Sequence, residues 1–188
     1  TLGGVGFIFT NNGLKAKLLR PLIKIFLRLA LVGKHTRLIL QNKDNIDTIK
    51  NIRVINEGNI RLIKGAGVET DKFIPSIIPK KVPIVILPGR MLWDKGVGEF
   101  VRVASRIKAR KVSVRFVLVG DIDLHNPETV SQAKIDKWVA SGIIENWNRC
   151  DDMEKVYKKA SIVCLPSYNE GLPKVLIEAG SCSRPVIA

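Results

Sequence analysis

Apolar residues follow two rhythms along this chain. Short, nearly unbroken apolar runs occur at residues 84–87, 112–119, 143–144, 161–165 and around Val186. They read as strands covered on both faces, because a half-exposed strand would alternate apolar with polar residues. Between them, apolar positions recur at helical spacing over residues 96–109, 129–141, 151–160 and 172–182. Strand, helix, strand, repeated in this way, predicts a buried parallel sheet flanked by helices, an α/β architecture. In such sheets ligands bind beyond the carboxyl ends of the strands. The loops carrying Gly89-Arg90 and Asn169-Glu170 are expected to emerge there.

The part before residue 75 is less regular. A glycine-rich turn leads into an apolar run over residues 3–10, and a basic helix follows that Pro21 is expected to kink or split. Strands are expected at 36–40 and 59–63, with a short helix over 43–50 capped by Asn42 or Asp44. Gly65-Ala66-Gly67 breaks the second strand. Three prolines and two lysines between residues 75 and 83 mark a hinge between two lobes. The boundaries that follow are residues 1–75 and 76–188. There is no initiator Met, and the sequence ends on an apolar strand, so the chain is expected to be part of a longer protein with one lobe incomplete.

Charge sharpens the difference between the lobes. The net charge is +14, and residues 1–43 hold eight Lys/Arg and no acidic residue. The segment 14–37 is both basic and apolar, too short and too charged in its apolar stretch to cross a bilayer. It suits the surface of an anionic membrane, or else a solvated helix packing its apolar face into its own lobe. Nucleic-acid binding is disfavoured by the 6% aromatic content and by the lack of any nucleic-acid module. The cysteines, Cys150, Cys164 and Cys182, form no CxxC and read as reduced, mostly buried thiols of a cytosolic protein.

The candidate chemistry is concentrated in LPSYNEGLPKVLIEAGSCSRPVIA, residues 165–188. Glu170 and Glu178 stand eight residues apart across a predicted helix start, with Pro173 near the first helical position. Free N–H groups of Gly171 and Leu172 at a positive dipole end would suit a phosphate. On such a helix Glu178 lies about 20° around from Gly171 and roughly 10 Å deeper. Diphosphate at the tip and hydroxyls beside the carboxylates is the layout of a nucleotide sugar. Upstream, Arg90 and Lys95 in LPGRMLWDKG place two cations at the same edge, suited to a diphosphate leaving group. A glycosidase reading is opposed by spacing, since retaining hydrolases hold their carboxyls about 5–5.5 Å apart. Asp121-Ile122-Asp123 follows a strand end and is not expected to bind metal.

These motifs carry a resemblance. Glu170-Gly171-Leu172-Pro173 with Glu178, the run Gly89-Arg90 to Lys95-Gly96, and GAGVETDKF (residues 65–73) resemble, in order and spacing, the retaining glycosyltransferases of family 4, which have the GT-B fold. The resemblance implies a Rossmann-like donor lobe in which Arg90 and Lys95 contact the donor diphosphate and Glu178 the ribose hydroxyls. It also implies that Glu170 touches the transferred sugar and that Gly89, Gly171 and Leu172 lie against the donor. Trp147 falls where the family's base pocket lies, to contact the nucleobase or to pack in the core. Arg90, Lys95 and Glu170 would be the catalytic set, with no metal or other cofactor.

The resemblance is strongest to bacterial enzymes of capsule, O-antigen or other cell-surface polysaccharide synthesis. It implies a UDP-N-acetylhexosamine-type donor, a lipid-linked saccharide acceptor and a place on the inner face of the plasma membrane. The chain by itself is expected to be inactive. A GT-B synthase acting on soluble substrates and a non-catalytic membrane-surface module are the alternatives.

Overall fold

The computed structural model describes residues 14–33, 35–65, 67–168 and 170–188. The turn expected over residues 3–10, and Asn169, lie outside them. The chain divides into two compact units, residues 1–66 with 170–172, and residues 67–169 with 173–188.

In the first unit, helix α1 (Leu14–Leu31) runs unbroken through Pro21. Pro21 is exposed, so the carbonyl that loses its intrahelical partner can be met by water. Strand β1 (Leu38–Leu40) pairs in parallel with β2 (Ile60–Leu62), Leu38 opposite Ile60. Helix α2 (Lys43–Ile52) joins them. The Asn42 side chain caps it, accepting from the Asn45 N–H at 2.8 Å, and it ends two residues later than its pattern suggests, at Arg53 in the left-handed region. Leu38, Leu40, Ile49 and Val54 form a small core, against which Leu27 and Leu31 of α1 pack.

The second unit is a five-stranded sheet with helices on both faces. In chain order it comprises β3 (Ile84–Pro88), α3 (Val97–Ala109), β4 (Arg115–Val119), α4 (Gln132–Ala140), β5 (Glu145–Asn146), α5 (Met153–Lys159), β6 (Ile162–Cys164), α6 (Lys174–Ser181) and β7 (Val186–Ile187). All neighbouring strands are parallel, in the order β5-β4-β3-β6-β7. Alternate residues of the central strands feed two cores. Val85, Leu87, Phe116 and Leu118 join Phe100, Val101, Ala104 and Ile135 on one face. Ile86, Val117, Val119 and Val163 join Val156, Tyr157, Ala179 and Cys182 on the other. That double burial is why these strands read as continuous apolar runs.

Several boundaries differ from the sequence reading. The strand expected at 143–144 forms at Glu145–Asn146 instead. The Ile143 N–H turns back to the Trp138 carbonyl (3.2 Å) to close α4, and Ile144 sinks into the core. Helix α4 starts at Gln132 rather than Thr129, because Thr129 bridges to Leu92 and the Val130 N–H is taken by the Met91 carbonyl at 2.8 Å. Cys150 and Cys164 are only half-buried, whereas Cys182 is buried. Burial raises the pKa of the Cys164 and Cys182 thiols.

Candidate functional site: the switch point of the parallel sheet

In the second unit the strand order reverses between β3 and β6, so their following loops diverge to opposite sides of the sheet. Open α/β sheets bind ligands at such a point. The loop after β3 carries Gly89, Arg90 and Lys95, and α6, which follows β6, carries Glu178.

Gly89 ends β3 with φ 151°, and its N–H donates to the Val119 carbonyl at 2.9 Å. Gly120 ends β4, and a Cβ there would stand 2.0 Å from the Gly89 carbonyl oxygen. Only a glycine lets the two turns close on each other. Arg90 extends to solvent from this turn, its guanidinium pairing with the Asp123 carboxylate at 2.7 Å. Asp121 faces Arg149 at 3.6 Å. Both acids of the DxD string therefore lie against arginines.

Lys95 closes a 3₁₀ turn (Trp93–Lys95), and Gly96 takes a left-handed conformation, φ 73°, before α3 starts. Its missing Cβ matters too, since one would lie 2.1 Å from the Pro166 carbonyl oxygen beyond β6. The β6 loop is tied to this turn. The Ser167 hydroxyl (3.1 Å) and the Tyr168 N–H (2.9 Å) both donate to the Asp94 carbonyl. The Tyr168 hydroxyl donates to Glu99 at 3.0 Å, which raises its pKa. The loops on either side of the switch point are thus one hydrogen-bonded assembly.

Helix α6 starts at Lys174, two residues later than expected, with Pro173 as its cap at ψ 96°. A proline biases the residue before it away from helical geometry, and Leu172 here lies outside the helix. The first-turn N–H groups of α6 are therefore those of Lys174 and Val175, not of Gly171 and Leu172. Glu178 lies one turn inside this helix rather than two. Its Oε2 accepts from the Tyr157 hydroxyl at 2.9 Å. Tyr157 is fully buried; desolvation, then the Glu178 charge, pushes its pKa far above the ordinary phenol value.

Trp147 packs half-buried against the core on the α5 and α6 side. Its indole N–H donates to Glu145 at 3.3 Å, and the Lys159 ammonium lies 5.7 Å from its ring. Glu170, Gly171 and Leu172 group with the first unit, where the Asn42 amide donates to the Glu170 carbonyl at 2.5 Å. Arg90, Lys95 and Glu178 thus share a unit with Gly89 and Trp147, and residues 170–172 belong to the other. Tyr157, Asp123 and Ser167 are partners that sequence reasoning missed. Each lies at least 21 positions from what it contacts, and no local pattern reports such a pair.

The family model described as "Glycosyl transferases group 1" matches residues 82–188, which include the whole five-stranded sheet and its switch point. The chain belongs to the group 1 glycosyl transferases. It is 30% identical over 197 residues to the N,N'-diacetylbacillosaminyl-diphospho-undecaprenol alpha-1,3-N-acetylgalactosaminyltransferase of Campylobacter jejuni, covering 98% of this chain and 50% of that protein. It is also 28% identical to the D-inositol 3-phosphate glycosyltransferase of Mycobacteroides abscessus, over 84% of this chain and 37% of that protein. HepE from Anabaena, crystallised with UDP, superposes with a TM-score of 0.69 at 17% identity, over 88% of this chain and 48% of that one. The fold is that of the GT-B glycosyltransferases. The chain spans half or less of the relatives it matches.

Proposed function

We propose that this group 1 glycosyl transferase moves a sugar from a UDP-sugar, of the N-acetylhexosamine type, to a lipid-linked saccharide with retention of configuration. The observation that carries the reading is the switch point in the second unit's sheet. A cationic loop after β3 stands on one side of the sheet reversal, and the start of α6, with Glu178 one turn inside, follows β6 on the other. The donor's diphosphate would draw Arg90 away from Asp123 and add Lys95. As the bond from the anomeric carbon to the diphosphate oxygen breaks, the acceptor hydroxyl oxygen bonds to that carbon and gives its proton to the departing phosphate oxygen, and these cations stabilise the charge left on UDP. Glu178 would hold the ribose hydroxyls. By resemblance Glu170 touches the transferred sugar, Gly89, Gly171 and Leu172 line the donor, and Trp147 flanks the base. The two cations supply the neutralisation that a metal supplies elsewhere. The acceptor class follows from the undecaprenol-diphosphate substrate named in the Campylobacter relative.

The same reading places the protein on the inner, anionic face of the plasma membrane, in cell-surface polysaccharide synthesis. Helix α1 supports it. Leu18 (72% exposed), Leu22, Phe26 (62%), Leu29 (68%) and, just beyond the helix, Val32 (75%) are in solvent, with Lys17, Lys24 and Arg28 on the same helix. A synthase of soluble saccharides has no use for that face.

A panel of nucleotide sugars in EDTA tests the donor. UDP-N-acetylhexosamines should raise the melting temperature most, since ligand at 100 Kd adds about 2.7 kcal/mol. Stabilisation by ADP- or GDP-sugars alone, or only with added divalent metal, would contradict the reading.

A further inference from the structure

Glu178 is a half-buried carboxylate held by a buried hydroxyl. The Tyr157 ring lies wholly inside the second unit, tilted at 60° to the Phe73 ring with centroids 5.9 Å apart. Around it the frame is closed by hydrogen bonds. The buried Arg184 guanidinium donates to the Tyr157 carbonyl at 2.8 Å and to the Ser76 carbonyl at 3.0 Å. From α6 itself, the Ser181 hydroxyl donates to the Phe73 carbonyl at 2.5 Å. The phenol oxygen therefore has a fixed place, and Oε2 of Glu178 is 2.9 Å from it. Because the phenol stays protonated far above neutrality, it acts towards the carboxylate as a donor at every working pH.

We infer that Tyr157 is a positioning residue for nucleotide recognition, fixing the Glu178 carboxylate through Oε2 so that Oε1 is presented to the ribose hydroxyls of the donor. The inference rests on the proposed role of Glu178. A free Glu side chain loses rotamer entropy on binding a diol, and an oxygen already hydrogen-bonded to a rigid ring has lost it beforehand. Preorganisation of this kind raises affinity without adding a contact.

Calorimetric titration with UDP and with 2′,3′-dideoxy-UDP tests it. Glu178→Ala should abolish the preference for UDP over the dideoxy form. Tyr157→Phe keeps the ring against Phe73 and should weaken UDP about five- to tenfold, the order of a typical net hydrogen bond, while leaving the dideoxy compound unchanged. A merely structural role would weaken both alike. Should Tyr157→Phe not fold, as judged by circular dichroism, 4-fluorophenylalanine at position 157 fills the hydroxyl's space without donating and should give the same split. If Glu178→Ala leaves the preference intact, the ribose reading of Glu178 falls. If Glu178→Ala removes it and neither change at 157 alters it, the role of Tyr157 is refuted.

Discussion

Helices α1 and α3 are both amphipathic and both rich in Lys and Arg. Yet α3 sinks Val97, Phe100, Val101 and Ala104 into the core, while α1 leaves Leu18, Leu22, Ile25, Phe26 and Leu29 in solvent. The difference lies in what each helix meets. Against α3 stand β3 and β4, each buried on both faces, with the Phe100 and Phe116 rings edge to face at 5.4 Å. Against α1 stands a two-stranded sheet whose small core takes, among the described residues, only Leu27 and Leu31 from it. The first arrangement holds a loop assembly rigidly at a sheet edge, as precise ligand contacts require. The second leaves a basic, apolar stripe in solvent, the feature on which the proposed membrane contact rests.

The largest expected contrast is in stability. Phe100→Ala should cost about 3–5 kcal/mol, the usual loss for a buried aromatic. Phe26→Ala should stay within about 0.5 kcal/mol, as surface changes do. Urea unfolding of both variants measures it, and a large loss at Phe26 would show that the α1 face is covered in solution.

Binding to vesicles sharpens the comparison from the other side. Each Lys or Arg near an anionic bilayer contributes on the order of 1 kcal/mol. Lys24→Gln with Arg28→Gln should therefore weaken co-sedimentation with phosphatidylglycerol vesicles by roughly ten- to thirtyfold. Changing Arg102 and Arg106 of α3 in the same way should do little. Equal binding to neutral vesicles at every salt concentration would refute the electrostatic account.

A smaller effect is expected at the switch point. Asp123→Asn releases Arg90 from its ion pair, and exposed pairs contribute about 0.2–1 kcal/mol, so UDP should bind up to about fivefold more tightly. Titration that finds weaker binding would mean that Asp123 orients Arg90 rather than competing for it.

The smallest effect is expected at the Arg115–Glu145 pair on strands β4 and β5, where Nε and Oε1 lie 2.6 Å apart. The hydrogen bond from Arg115 lowers the Glu145 pKa. Its contribution is thus present above the unfolded carboxyl value, about 4.3, and lost as pH falls through the lower folded value. Both side chains are more than two-fifths exposed, so screening holds the contribution to less than about 1 kcal/mol. Glu145→Gln should lower stability slightly at pH 7 and not at pH 2. A loss of equal size at both would show that packing, not charge, is at work.

Much of this was legible in the sequence. Unbroken apolar runs located β3, β4 and β6, because strands buried on both faces have no polar alternation to hide them. Placing Gly89, Arg90 and Lys95 at a strand end followed directly. The start of α6 is two residues later than the pattern predicts because the bias of a proline against helical geometry in the residue before it is obeyed at Pro173 and broken at Pro21. Other features have no local signature. Tyr157 meets Glu178 across 21 residues and Arg90 meets Asp123 across 33. Periodicity likewise marks α1 as amphipathic but says nothing of what covers it.

The central claim, that the switch point between β3 and β6 holds a nucleoside diphosphate, is tested most directly by calorimetric titration of UDP in EDTA. Wild-type chain, Arg90→Ala and Lys95→Ala would be compared, with unchanged melting temperatures as the control for folding. The account predicts saturable binding by the wild type, weakened at least about tenfold by either change, as the loss of a charge-assisted hydrogen bond requires. Binding that is unaffected by both substitutions would contradict it.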